Sequence, residues 1–242
     1  MAALQAQSRY QVSEGERAEQ ELRDFSYLVA HDLANEFRHV AEFSKLLGED
    51  LGDDAQGISY VQAISQSAGR CQSMLRAILA YSAIQTQAMQ PRLWPGRSVV
   101  ERALAELAAN NGGQPARINI DVVGDVFADA RLLIMAVRLG LANALQFGRE
   151  GADLAIDVKG ALDKDGGWRL EIADNGEGLS RQYHEKAFGM FWRLDPSAPG
   201  VGAGLPTIRR IARRHGGEAR LLEAVEGVRL EIVIPAKGAF NP

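Results

Sequence analysis

Phe188-Gly189-Met190-Phe191-Trp192-Arg193-Leu194, followed by Gly200-Val201-Gly202-Ala203-Gly204-Leu205, is the stretch that decides how this chain is read. Its G-x-G-x-G opens an amphipathic run from Leu205 to His215. Small residues there let backbone N–H groups crowd an anion, and the N-terminus of the following helix faces it. A glycine-rich turn before a helix is by itself more often plain turn chemistry than a nucleotide site. Two further pieces shift the balance. Asp174-Asn175-Gly176-Glu177-Gly178 follows the strand-like Trp168 to Ala173, and Asn143-Ala144 lies inside the apolar helical run Leu132 to Phe147.

In that order and spacing, these pieces resemble the ATP-binding boxes of the sensor histidine kinase family. Phe25-Ser26-Tyr27-Leu28-Val29-Ala30-His31-Asp32-Leu33 is similar to the H box of that family, which carries the phospho-accepting histidine. The resemblance runs from about Gln20 to Pro235.

Composition bounds the function. With 242 residues, 46% apolar and 24% charged, the chain has room for one or two domains with real cores. A net charge of −4 argues against a nucleic-acid partner held by phosphate neutralisation. Arg209, Arg210, Arg213 and Arg214 cluster, but on a predicted helix they read as its solvated face. The single cysteine, Cys71, excludes an intramolecular disulfide and a cysteine-rich metal site, which favours a reducing compartment. No window approaches the roughly 18 apolar residues of a membrane span, and Met1 to Ala18 is too polar for a signal peptide. The expected location is cytoplasmic, without a direct membrane span. The expectation is a free-standing kinase core or a piece of a longer protein.

Taken in order, residues 1–19 read as an N-terminal extension or signalling helix. Residues 20–90 read as a dimerisation and histidine phosphotransfer domain, and 91–242 as a catalytic ATP-binding domain. Leu22, Phe25, Val29, Leu33, Phe37, Val40, Phe43 and Leu47 recur at three- and four-residue steps, an apolar helical stripe. Gly48 to Gly57 breaks it, and a second helix from about Ile58 carries Val61, Ile64, Ala68, Cys71, Leu75, Ile78 and Ser82 on one face. The stripe is too wide for one hairpin to cover, so pairing into a dimeric four-helix bundle is the simplest remedy, and the resemblance implies the same homodimer. His31 lies two residues from both Val29 and Leu33, about 200° around the helix, which predicts an exposed side chain.

Pro91 and Pro95 read as the linker. Beyond it helices and strands alternate: a helix over Val99 to Ala109, a turn over Asn110 to Gly113, a strand over Arg117 to Val123, and a helix capped by Asp129. A hairpin over Leu154 to Lys159 and Trp168 to Ala173, the helix Leu205 to His215, and a last hairpin over Ala219 to Leu222 and Val228 to Ile234 complete the order. This predicts an α + α/β chain, a helical hairpin followed by an α/β sandwich with helices on one face of a mixed sheet. The resemblance implies the ATP-binding, Bergerat-type version of it.

The resemblance also assigns roles. Asn143 ligates Mg²⁺, Asp174 accepts a hydrogen bond from the adenine amino group, and Gly176 and Gly178 let the backbone approach the base. Gly200, Gly202, Gly204 and Leu205 hold the phosphates of ATP, with Leu194 to Pro199 as a lid. Gln146 faces the phosphates where a lysine is common. At the second site His31 is the nucleophile, its neutral imidazole competent near an ordinary pKa of about 6.5. Asp32 orients it and takes its other proton, and Asn35, one turn on, positions a water against a phospho-aspartate on the partner, a response regulator receiver domain. Departures from the family pattern are Glu36 in place of a helix-bending proline, Leu139 where a polar residue opens the N box, Val201 in place of a threonine, and a short lid. They keep two alternatives open: a histidine phosphotransferase with a degenerate nucleotide domain, and a non-catalytic scaffold for response regulators.

Overall fold

The computed structural model describes residues 33, 35, 37–49, 51, 55–110, 116–147, 154–195 and 198–236. His31, Asp32, Glu36, the extension over 1–19 and the turn over 111–113 lie outside them. The chain divides into two compact units, Met1–Ala83 and Ile84–Pro242.

In the first unit, helix α1 covers residues 37–49 and helix α2 Ala55–Thr86, so both extend into the break expected over Gly48 to Gly57. Gly48 lets the helices approach, since a Cβ there would lie 3.2 Å from Val61. Phe37 and Val40 of α1 share a groove with Ala63, Ile64, Ser67 and Ala68 of α2. Val61 and Ala68 are buried, and the buried Ser44 hydroxyl donates to the Val40 carbonyl at 2.7 Å. Among the described residues of the two stripes, Leu33, Val40, Phe43, Leu47 and Ile64 are exposed, Phe43 at 70%. One hairpin therefore covers only part of its apolar surface, as its width required.

The second unit is an α/β sandwich. Strands β2 (Ala116–Val122), β4 (Leu154–Leu162), β5 (Trp168–Asp174), β7 (Arg229–Ile234) and β6 (Glu218–Leu222) form a mixed sheet in the order β2-β4-β5-β7-β6. β2 runs parallel to β4 and every other pair is antiparallel. Helices α3 (Gly96–Asn110), α4 (Ala130–Gln146) and α5 (Gly204–Arg214) pack on one face. Leu133, Val137 and Leu141 of α4 and Ile208 and Ile211 of α5 meet Ile156, Leu170, Ile172 and Ile232 of the strands. Each such side chain, withdrawn almost wholly from water, contributes about 2 kcal/mol. Gly140 brings α4 close, since a Cβ there would fall 2.9 Å from Ile172 and 3.0 Å from Leu230.

The other face is a lattice of paired charges. Glu171 and Glu231 sit opposite one another in the β5–β7 register, a like-charged pair that needs cations. Arg229 takes Glu171 at 2.9 Å, while Arg169 and Arg220 both take the almost fully buried Glu231.

Two readings are corrected. Pro91 and Pro95 do not bound a free linker: Arg92–Pro95 is strand β1, paired antiparallel with β3 (Asp125–Ala128), and α3 starts directly after Pro95. Pro95 is tolerated because it ends a strand of an isolated two-stranded ribbon. The arginines of α5 are not a uniformly solvated face, for the Arg209 side chain is only 13% exposed.

Candidate functional site

The turn after β5 is organised by Asp174, a carboxylate only 8% exposed. Its Oδ1 accepts the backbone N–H of Gly176 at 2.9 Å and of Val228 at 3.1 Å. Burial raises the carboxyl above the ordinary carboxylate range, the two N–H bonds pulling the other way. Asn175 anchors the same turn to the start of β4, its Oδ1 accepting the Ala155 N–H at 2.9 Å. The site is thus a buried acceptor on rigid strands.

The end of α4 reaches two of the predicted pieces. Asp129 caps the helix, Oδ1 accepting the Leu132 N–H, and the helix runs to Gln146. Asn143 is half-buried in its last turn. Phe147, the next residue after the helix, sets its carbonyl oxygen where a side chain at Gly176 would stand. Gln146 donates Nε2–H to the Pro199 carbonyl at 2.6 Å, with Gly200 just beyond. The end of α4 thus lies beside Gly176 through Phe147 and beside Gly200 through Gln146, while Asp174 holds the Gly176 N–H.

The second glycine stretch is a loop of left-handed turns. Gly200 and Gly202 have φ of 87° and 72°, and a Cβ at Gly202 would lie 2.6 Å from the Trp192 carbonyl. The Gly202 carbonyl accepts the N–H of Phe191, itself at φ 64°, an uncommon conformation for an aromatic residue. Gly204 opens α5 with free space where a side chain would project, and Leu205 is half-buried against the core. Gly178, at φ 81°, packs on the backbone of Gly227.

Gly227 is a site residue that sequence reading missed. A side chain there would collide with the Asp174 carbonyl, so only glycine lets the β6–β7 turn close over Asp174 and deliver the Val228 N–H. In sequence, Glu226-Gly227 is indistinguishable from ordinary hairpin chemistry. Of the helical-unit residues, Asn35 is helical and half-buried, and His31 and Asp32 lie outside the described residues.

Residues 128–238 match the family described as "Histidine kinase-, DNA gyrase B-, and HSP90-like ATPase". Beyond those residues, the chain is similar to sensor proteins over most of its length. It is 28% identical over 229 residues to Cyanobacterial phytochrome A of Nostoc sp., covering 92% of this chain and 30% of that protein. It is 24% identical over 217 residues to the sensor-like histidine kinase SenX3 of Mycolicibacterium smegmatis, covering 86% of this chain and 56% of that one. The chain thus spans well under two thirds of these relatives. Among solved structures it is similar to the mycobacterial sensor histidine kinase MprB (25% identity, TM-score 0.53, 60% of this chain and 97% of that one). The fold is also that of the Acinetobacter baumannii histidine kinase AdeS (17% identity, TM-score 0.60, 83% and 95%).

Proposed function

We propose that this chain is the core of a two-component sensor histidine kinase, which binds ATP in residues 91–242 and phosphorylates His31. The observation that carries the reading is the buried Asp174 carboxylate, held by the Gly176 and Val228 N–H groups beside a loop of positive-φ glycines that opens α5. A carboxylate oxygen is the acceptor that an adenine amino group needs, and backbone N–H groups at a helix N-terminus suit phosphates.

In this reading Gly200, Gly202, Gly204 and Leu205 hold the phosphates, with Gln146 beside them, and Gly176 and Gly178 admit the base. Among the described residues no group of three or more His, Cys, Asp or Glu is placed to hold a metal. Mg²⁺ is commonly held by few protein ligands and by the phosphates themselves, and the Asn143 amide oxygen, in the last turn of α4, is a hard donor that would hold it. When bound, the ion neutralises developing phosphate charge.

The neutral imidazole of His31 attacks the γ-phosphorus, the bond to the β-phosphate oxygen breaks, and ADP leaves. Asp32 takes the proton from the other ring nitrogen and fixes the attacking tautomer. The phosphoryl group then passes to an aspartate of a response regulator receiver domain, and Asn35 positions the water that later removes it. The bare stripe of Leu33, Val40, Phe43 and Leu47 pairs with a second copy, giving a homodimer. No helix among the described residues is long and apolar enough to cross a membrane, and we assign the core to the cytoplasm.

Incubation with ATP labelled on the γ-phosphate tests the proposal. Acid-labile label on the wild type and none on His31→Ala is the expected result. Label that appears only when a phosphorylated receiver is supplied favours a phosphotransferase instead, and no label under either condition refutes both.

A further inference from the structure

We propose that Arg209 is a positioning residue that fixes the phosphate-side loop through Glu185 and Phe188; the inference rests on the nucleotide reading above. The side chain leaves α5 between two segments and is fully engaged by both. Its Nη1 and Nη2 donate to the two carboxylate oxygens of Glu185 at 2.9 and 3.2 Å. Its guanidinium carbon lies 3.5 Å from the centre of the Phe188 ring. Its Nε donates to the Ala219 carbonyl at 2.9 Å and lies 3.2 Å from Glu218 on β6.

The consequence lies in what Glu185 and Phe188 carry. Glu185 precedes the 3₁₀ turn Lys186–Phe188, which ends at Gly189. The Gly189 carbonyl accepts the Trp192 N–H, and Phe191 donates to the Gly202 carbonyl at 2.9 Å. The glycine loop thus has two fixed ends. One continues into α5, and the other is a short 3₁₀ turn whose Ala187 and Phe188 are buried in the core and whose Glu185 and Phe188 are gripped by one arginine of that same helix. A planar, forked cation is required: lysine keeps the charge but neither the two parallel donors nor the flat stack on Phe188. The fork also holds the Glu185 carboxyl below the ordinary carboxylate range.

A stabilising arginine and a positioning arginine differ in which ligands they affect. Adenosine needs only the Asp174 side of the site, whereas ADP also needs the loop. The full chain, as wild type, Arg209→Lys and Glu185→Gln, is titrated with adenosine and with Mg-ADP. Hydrogen exchange at the Phe191 and Trp192 amides is followed without ligand. Glu185 is 80% exposed, so its replacement leaves the fold intact. Both variants are expected to weaken ADP about tenfold while adenosine affinity stays within twofold, and to speed exchange at those two amides. If the wild type binds ADP and the variants keep its ADP-to-adenosine preference, or if exchange at both amides is unchanged, the positioning role of Arg209 is wrong. If the wild type binds neither ligand, the nucleotide reading fails, while the exchange rates still decide whether Arg209 fixes the loop.

Discussion

His215 Nε2 accepts the backbone N–H of Asp129 at 3.1 Å, a fully buried bond between the end of α5 and the cap of α4. Because Nε2 accepts, the ring proton is on Nδ1, which donates to the Ile211 carbonyl at 2.8 Å. Asp129 in turn holds the Leu132 and Gln90 N–H groups, so one imidazole ties together both helices that frame the site. His215→Phe leaves the Asp129 N–H buried without its acceptor, and urea unfolding should show a loss of about 1–3 kcal/mol.

The same histidine makes stability depend on pH. Burial is the main cause of its lowered pKa, with Arg214 acting the same way and the Ile211 bond and Asp129 acting against. The unfolded chain then binds the proton more readily than the folded one. The stabilisation is fully present above the unfolded value of about 6.5 and is lost as pH falls through that value toward the folded one. Unfolding curves from about pH 8 to about pH 5 should show a declining midpoint for the wild type and a flatter profile for His215→Phe.

Asp174→Asn keeps an oxygen for the Gly176 and Val228 N–H groups but gives up the charged acceptor. Calorimetric titration should show Mg-ATP affinity reduced by about 10- to 100-fold with an unchanged thermal midpoint. Since burial raises this carboxyl, wild-type affinity should decline on acidification at a pH above the ordinary carboxylate range. Equal ATP affinity in wild type and variant removes Asp174 from the site.

Gly227→Ala forces a side chain into the Asp174 backbone at a φ of 64°. The expected cost exceeds about 1 kcal/mol, with nucleotide affinity falling alongside as the Val228 N–H is displaced. Thermal denaturation and the same titration read both effects.

Phe43 and Leu47 are 70% and 52% exposed on α1. Replacing both by glutamate should convert a dimer to a monomer in light scattering after size exclusion, while circular dichroism keeps its helical signal. A wild-type monomer contradicts the proposed pairing.

The helices and the long strands were legible because their apolar residues recur locally, at steps of three and four along α1 and of two along β5. The ribbon of β1 and β3 was not. Each strand has four residues, one contains a proline, and they pair across about 30 residues of chain, so no local period betrays them. Asp174 and the glycines of the loop were legible as motifs because close approach restricts those positions to few residue types. Gly227, Arg209 and Glu231 were hidden for the opposite reason: glycine in a hairpin, arginine on a helix and glutamate on a strand are ordinary, and only tertiary partners make them otherwise.

Phosphoryl transfer from a nucleotide to one imidazole is tested most directly by tandem mass spectrometry of the protein after incubation with Mg-ATP, with peptides kept at neutral to basic pH. The prediction is a single acid-labile phosphoryl group on His31, much reduced in Asp174→Asn when Mg-ATP is well below saturation. A phosphoryl group at another residue, or an unmodified His31 in protein that has bound ATP, contradicts it.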